Sequence, residues 1–218
     1  MRRRWPVGLT LAAVVTLLAA GVARAADPTR EEALAALAGR DVEQRRYGAL
    51  ALADTGLMAD LPRLAAALRD PDARVRAFAE GAMWQVWSRS GDADVDTLLA
   101  VGIEQMSARR GDLAVDTFTE VIRRRPDFTE GWNKRATVYY LLGDYEKSLA
   151  DCDEVMKRNR FHFGALSGYG MIYLQLGQPE KALAHFEQAL QINPNLETVE
   201  ETAEMLRRLL LRRRPDTI

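Results

Sequence analysis

Cysteine and histidine are almost missing from this 218-residue chain, which has one cysteine, Cys152, and two histidines, His162 and His185. A single cysteine forms no internal disulfide, so stability has to come from packing. The histidines lie 23 residues apart without HExxH-like spacing, so no metal site is expected from them. The chain also lacks a glycine-rich phosphate loop, a GxSxG turn and a supported Cys–His arrangement. The expectation is a protein that is not an enzyme and holds no cofactor. Aromatic residues make up only 7% and β-branched residues are sparse, whereas Ala, Leu, Glu and Arg dominate. Those are strong helix formers, and 48% hydrophobic with 28% charged residues is the content of a folded chain, so an all-α protein is expected.

The first 25 residues stand apart. Arg2, Arg3 and Arg4 precede an apolar run from Val7 to Val22, and Ala23-Arg24-Ala25 follows with small-x-small spacing. This is the pattern of a secretory signal cut after Ala25, which predicts an exported, periplasmic protein. An uncleaved anchor is the alternative, and only then is a membrane a partner. The segment takes four arginines and no acid with it, so 30 basic and 31 acidic residues become 26 and 31, a net charge of −5. That balance argues against nucleic acid as a partner.

Self-similarity organises the rest. A shift of 34 residues places Tyr139 on Tyr173, Gly143 on Gly177, Glu146-Lys147 on Glu180-Lys181 and Cys152 on Phe186. A second shift aligns Gly102 with Ala136 and Gly170, Ala114 with Ser148 and Ala182, and Phe118 with Cys152 and Phe186. Pro126 and Pro194 close their copies, while Arg160 stands at that place in the copy between them. Trp132, Ala136 and Tyr139 share one helical face, as do Ala182, Phe186 and Ala189. Small residues at the paired positions let two helices approach, Gly143 and Gly177 suit a left-handed helix end, and the prolines stop the second helix. In the first copy the turn glycine, Gly111, comes two residues late, and Leu98 and Gln105 stand where the others have aromatics.

With its W-L-G-Y-A-F-P spacing, this period resembles the tetratricopeptide repeat family, whose unit is a helix, a tight turn and a second helix. The resemblance implies a right-handed helical-repeat solenoid with units at 95–128, 129–162 and 163–196 inside a region 93–196. Upstream, over 26–92, a period of 31 pairs Arg45 with Arg76, Tyr47 with Phe78 and Ala51 with Ala82, which resembles short HEAT-like helical hairpins. Residues 197–218 read as a capping helix and tail, with Val199, Ala203, Leu206 and Leu210 on one face.

For function, the resemblance implies a scaffold or adaptor in the cell envelope that binds a protein or peptide partner on the concave face made by the first helix of each unit. Glu130, Asn133, Thr137 and Tyr140 fall there in the second unit, and Ser167, Met171 and Leu174 in the third. Leu99 and Ile103 occupy the first unit where family members that clamp a terminal carboxylate carry polar groups, so that ligand is not expected. Trp84 and Trp87 are read as the joint to the first unit. The alternatives are a small-ligand or enzyme-associated role in a cleft near Trp84, Trp87 and Glu104, and a membrane-anchored assembly factor. His185 is expected to face solvent or the helix flank, and His162 to lie in an inter-unit turn.

Overall fold

The computed structural model describes residues 27–213, so the expected signal segment lies outside the described residues. Within that range all regular structure is helical. Short polar side chains start the first helices. Thr29 and Glu32 form a reciprocal capping box at α1 (Arg30–Leu37), and Asp41 caps α2 (Val42–Thr55). A 3₁₀ turn at Met58–Asp60 leads into α3 (Leu61–Ala67), and Asp72 caps α4 (Ala73–Ser88) by accepting from the N–H groups of Arg74 and Val75. The 31-residue period has a mechanical counterpart here. Arg45 donates to the Arg40 carbonyl and Arg76 to the Pro71 carbonyl, each holding the loop five residues before it. Arg89 ties the end of α4 to α2 by donating to the carbonyls of Ala53, Asp54 and Gly56.

Three helix pairs follow: α5 (Ala93–Ser107) with α6 (Gly111–Arg124), α7 (Thr129–Leu142) with α8 (Tyr145–Arg158), and α9 (Phe163–Gln175) with α10 (Pro179–Ile192). A last helix, α11 (Glu197–Arg213), packs on α10. The second helices all end two residues before Pro126, Arg160 or Pro194, so arginine serves the stop as well as proline does. Gly143 (φ 82°) and Gly177 (φ 67°) take the left-handed conformation in their turns. The first pair corrects the expectation for Gly111. The left-handed residue is Arg109 (φ 58°), at the place the period requires, and Gly111 is the first residue of α6. A non-glycine side chain in that region costs about 1–2 kcal/mol.

Within each pair the helices meet through complementary volumes. A β-carbon on Gly102 falls 2.4 Å from the Phe118 ring, and one on Gly170 falls 2.3 Å from the Phe186 ring, so neither position admits a side chain while its phenylalanine stays. In the middle pair both residues differ together, Ala136 facing Cys152. There the Ser148 hydroxyl donates to the Ala136 carbonyl at 2.7 Å.

The α1–α4 segment does not precede the array as a separate body. A single apolar cluster runs from Ala33 and Leu52 through Met83 and Trp87 to Phe163, Leu166 and Ile172. Sixteen residues long, and so about 24 Å, α4 lies along the edge formed by the inter-unit loops. At its start Arg76 donates to Asn195 and Glu80 accepts from Asn193, beyond α10. Nearer its end Trp84 and Trp87 rest on Phe163 at the head of α9. Arg69 and the Leu68 carbonyl add hydrogen bonds to the Ile192 carbonyl and to Asn195. The tryptophans are therefore a joint, but to the second and third pairs rather than the first. Helix α4 braces the array from its far end back toward its beginning.

Candidate functional site

The first helices of the second and third pairs, α7 and α9, present the expected concave residues, but unequally. Glu130 is completely buried and Asn133 nearly so, because α4 covers the upper end of this face. Glu130 accepts from the Asn133 amide at 3.0 Å, from Lys134 at 3.0 Å and from His162 at 3.1 Å. The Lys134 ammonium lies 6.0 Å from the Trp84 ring centre, and the His162 ring stacks on Trp87 at 4.3 Å. His162 is thus neither exposed nor idle in its turn. Its Nδ1 accepts from the Ala165 N–H and caps α9, which places the ring proton on Nε2, where it donates to Glu130. Burial pushes the Glu130 carboxyl up, but the bond from His162 and the Lys134 ammonium outweigh it and hold the group well below the ordinary carboxylate range. Glu130 is therefore corrected from an open groove residue to a member of the joint, while Asn133, buried beside it, links the joint to the wall of the groove.

The lower part of the face stays open. Thr137 is exposed, Tyr140 and Ser167 are half-buried, and Met171 is 41% exposed. The hydroxyls of Thr137 and Ser167 are satisfied within their own helices, by the carbonyls of Asn133 and Phe163. Leu174 is drawn aside into the apolar cluster of Phe186, Leu206 and Val199, so α10 and α11 claim part of it. Between α7, α8 and α9 a cavity of 110 Å³ is lined by Asn133, Ala136, Thr137 and Tyr140, by Ser148 and Cys152, and by Gly164, Ala165, Gly168, Met171 and Ile172. It has room for one apolar side chain. Its origin is visible in the repeat: a phenylalanine ring fills this slot in the other pairs, and Cys152 is smaller. The Cys152 thiol is 3% exposed and pushed up to about 12 by burial, so it is a packing group rather than a nucleophile. That Phe-to-Cys change and the neighbouring Gly168 were the sequence signals for the cavity. No comparable local signal marked the buried His162.

The remaining candidates are settled by packing. His185 takes the helix flank rather than open solvent: it is half-buried and stacks on Tyr169 at 4.5 Å and Tyr173 at 5.4 Å, and burial lowers its pKa. Trp87 is 1% exposed, so it does not line an open cleft, while Glu104 lies exposed on α5. Trp132 is held at the junction of the first two pairs. Its Nε1–H donates to the Pro126 carbonyl at 3.1 Å, and the Arg158 guanidinium lies 4.8 Å from its ring centre. Among the described residues, no three His, Cys, Asp or Glu side chains form a group able to hold a metal. No helix among them is long and apolar enough to cross a membrane.

Residues 128–195, spanning α7 to α10, match the tetratricopeptide repeat family. A TPR repeat-containing protein of Rhizobium etli is 34% identical over 138 residues, covering 63% of this chain and 67% of that protein. Anaphase-promoting complex subunit 3 of Schizosaccharomyces pombe is 30% identical over 87 residues, 40% of this chain and 13% of its own length. Among solved structures, the TPR domain of Sgt2 from Aspergillus fumigatus superposes with a TM-score of 0.53 at 18% identity, over 58% of this chain and 88% of that one. The first TPR of Spaghetti (RPAP3), bound to the HSP90 peptide SRMEEVD, gives 0.52 at 22% identity, over 55% and 96%. At these identities the likeness is one of fold.

Proposed function

Because the chain belongs to the tetratricopeptide repeat family, we propose that it is a non-enzymatic scaffold or adaptor that holds an extended segment of a partner protein on its concave face. The cavity beside Cys152 carries this reading, since it opens between Thr137, Tyr140 and Met171 and accepts one apolar side chain of the segment. The peptide held by the Spaghetti domain supports the same use of the fold. The occupied upper end limits the ligand to the lower face, and Lys134 is already committed to Glu130, so recognition is apolar rather than a clamp on a terminal carboxylate. We further propose, from the pattern of residues 1–25 alone, that the chain is exported to the cell envelope and cut after Ala25, an uncleaved membrane anchor being the alternative.

The test is a photo-crosslinking amino acid at Thr137, with partners identified by mass spectrometry, in the original chain and in a Tyr140→Ala/Met171→Ala variant. The proposal requires a crosslinked protein that the double variant loses while its helical circular dichroism is unchanged. An equal yield from both chains rejects the lower face as the site. N-terminal sequencing of the product then tests export, which requires a mature chain beginning at Ala26.

A further inference from the structure

The last helix carries a surface that the groove does not use. One side of α11 seats Ala203 and Leu206, 0% and 2% exposed, against Ala182 and Phe186 of α10. Arg207 fastens that side by donating to Glu187 at 3.0 Å. The opposite side exposes apolar bulk at Met205, 59% accessible, and Leu209, 39% accessible. Its charges are sorted by sign along the axis: Glu201 and Glu204 precede Met205, and Arg208 and Arg212 follow it. These positions recur at three- and four-residue intervals and so share one face.

We infer that this face binds a second copy of the chain, the two α11 helices packing antiparallel about a two-fold axis that passes between Met205 and Arg208 on that face. A parallel pair would set Glu201 beside Glu201 and Arg212 beside Arg212. The antiparallel pair sets Glu201 of each copy against Arg212 of the other and Glu204 near Arg208, and it closes Met205 and Leu209 at the centre. A face complementary to itself under a two-fold rotation is what an isologous dimer requires. The Glu204–Arg208 pair, 2.8 Å apart within one helix and well exposed, is weak enough to exchange partners. Dimerisation sets two concave faces on one particle, and the inference stands whether or not those faces bind peptide.

Charge reversal tests it on the mature full-length chain by sedimentation equilibrium. The original chain is expected to dimerise reversibly. Glu201→Arg/Glu204→Arg and Arg208→Glu/Arg212→Glu are each expected to weaken the dimer by about a hundredfold through like-charge contact. Their equal mixture is expected to recover it as a heterodimer. Met205→Lys, at a site exposed in the monomer, is expected to weaken the dimer without altering helicity. A chain that stays monomeric at every concentration overturns the inference and leaves the face to a different partner. Dimers unaffected by both reversals, or a mixture that does not re-associate, overturn it equally.

Discussion

Position 152 shows how one residue sets the character of the site. The first and third pairs match a glycine with a phenylalanine, and the middle pair matches Ala136 with Cys152, which leaves the cavity. Restoring the ring alone forces it onto the Ala136 β-carbon, so Cys152→Phe is expected to cost about 1–3 kcal/mol. Adding Ala136→Gly is expected to recover most of that loss, and chemical denaturation of the four chains of the cycle measures the coupling. Arg109 makes a second case. Arg109→Gly is expected to gain about 0.5–1 kcal/mol by relieving the left-handed backbone, less the entropy glycine loses on folding. Arg110→Gly, next to it at φ −93°, is expected to gain nothing in the same melts. The period alone pointed to 109, but the nearby glycine drew attention to 111, because sequence shows which residue prefers a conformation and not which one is forced into it.

At the scale of elements, the 34-residue period made α7 to α10 legible, since each helix carries its own face pattern, turn glycine and stop. The path of α4 was not legible. Its contacts with Phe163, Asn193 and Asn195 join residues about a hundred positions apart in sequence, and no local pattern encodes them. The Glu130 carboxyl reports on this joint because it is buried against His162 and Lys134. Its folded-state pKa is lowered to about 2, below the unfolded value of about 4.3. In between, the unfolded chain binds more protons, so the stability Glu130 contributes is present above about pH 5 and is lost as pH falls toward 2. Glu130→Gln is therefore expected to cost about 2 kcal/mol at pH 7, and most of the gap to the original chain is expected to have closed by about pH 2. Urea midpoints across that range check it. A gap that is constant or widens in acid places the stabilising charge elsewhere.

At the scale of the molecule, the array is braced rather than free. Helix α4 ties the end of α10 to the heads of α7 and α9, so the concave face is held in one shape and its upper end, at Glu130, is closed. Preorganisation of this kind lowers the ordering cost of binding and narrows what binds, which suits one short apolar-anchored segment better than a long clamped tail. The sequence assigned the residues of this face to α7 and α9, and the structure places them on those helices. The sequence did not reveal which part was covered, because the cover comes from a different stretch of the chain.

The most direct measurement is peptide selection on the immobilised chain, followed by isothermal titration of the selected peptides against the original chain and the Ala136→Gly/Cys152→Phe variant. The cavity reading predicts peptides that share one apolar anchor residue and bind the filled variant at least about tenfold more weakly, as expected for a side chain that loses its pocket. Peptides that bind both chains with equal affinity would contradict it.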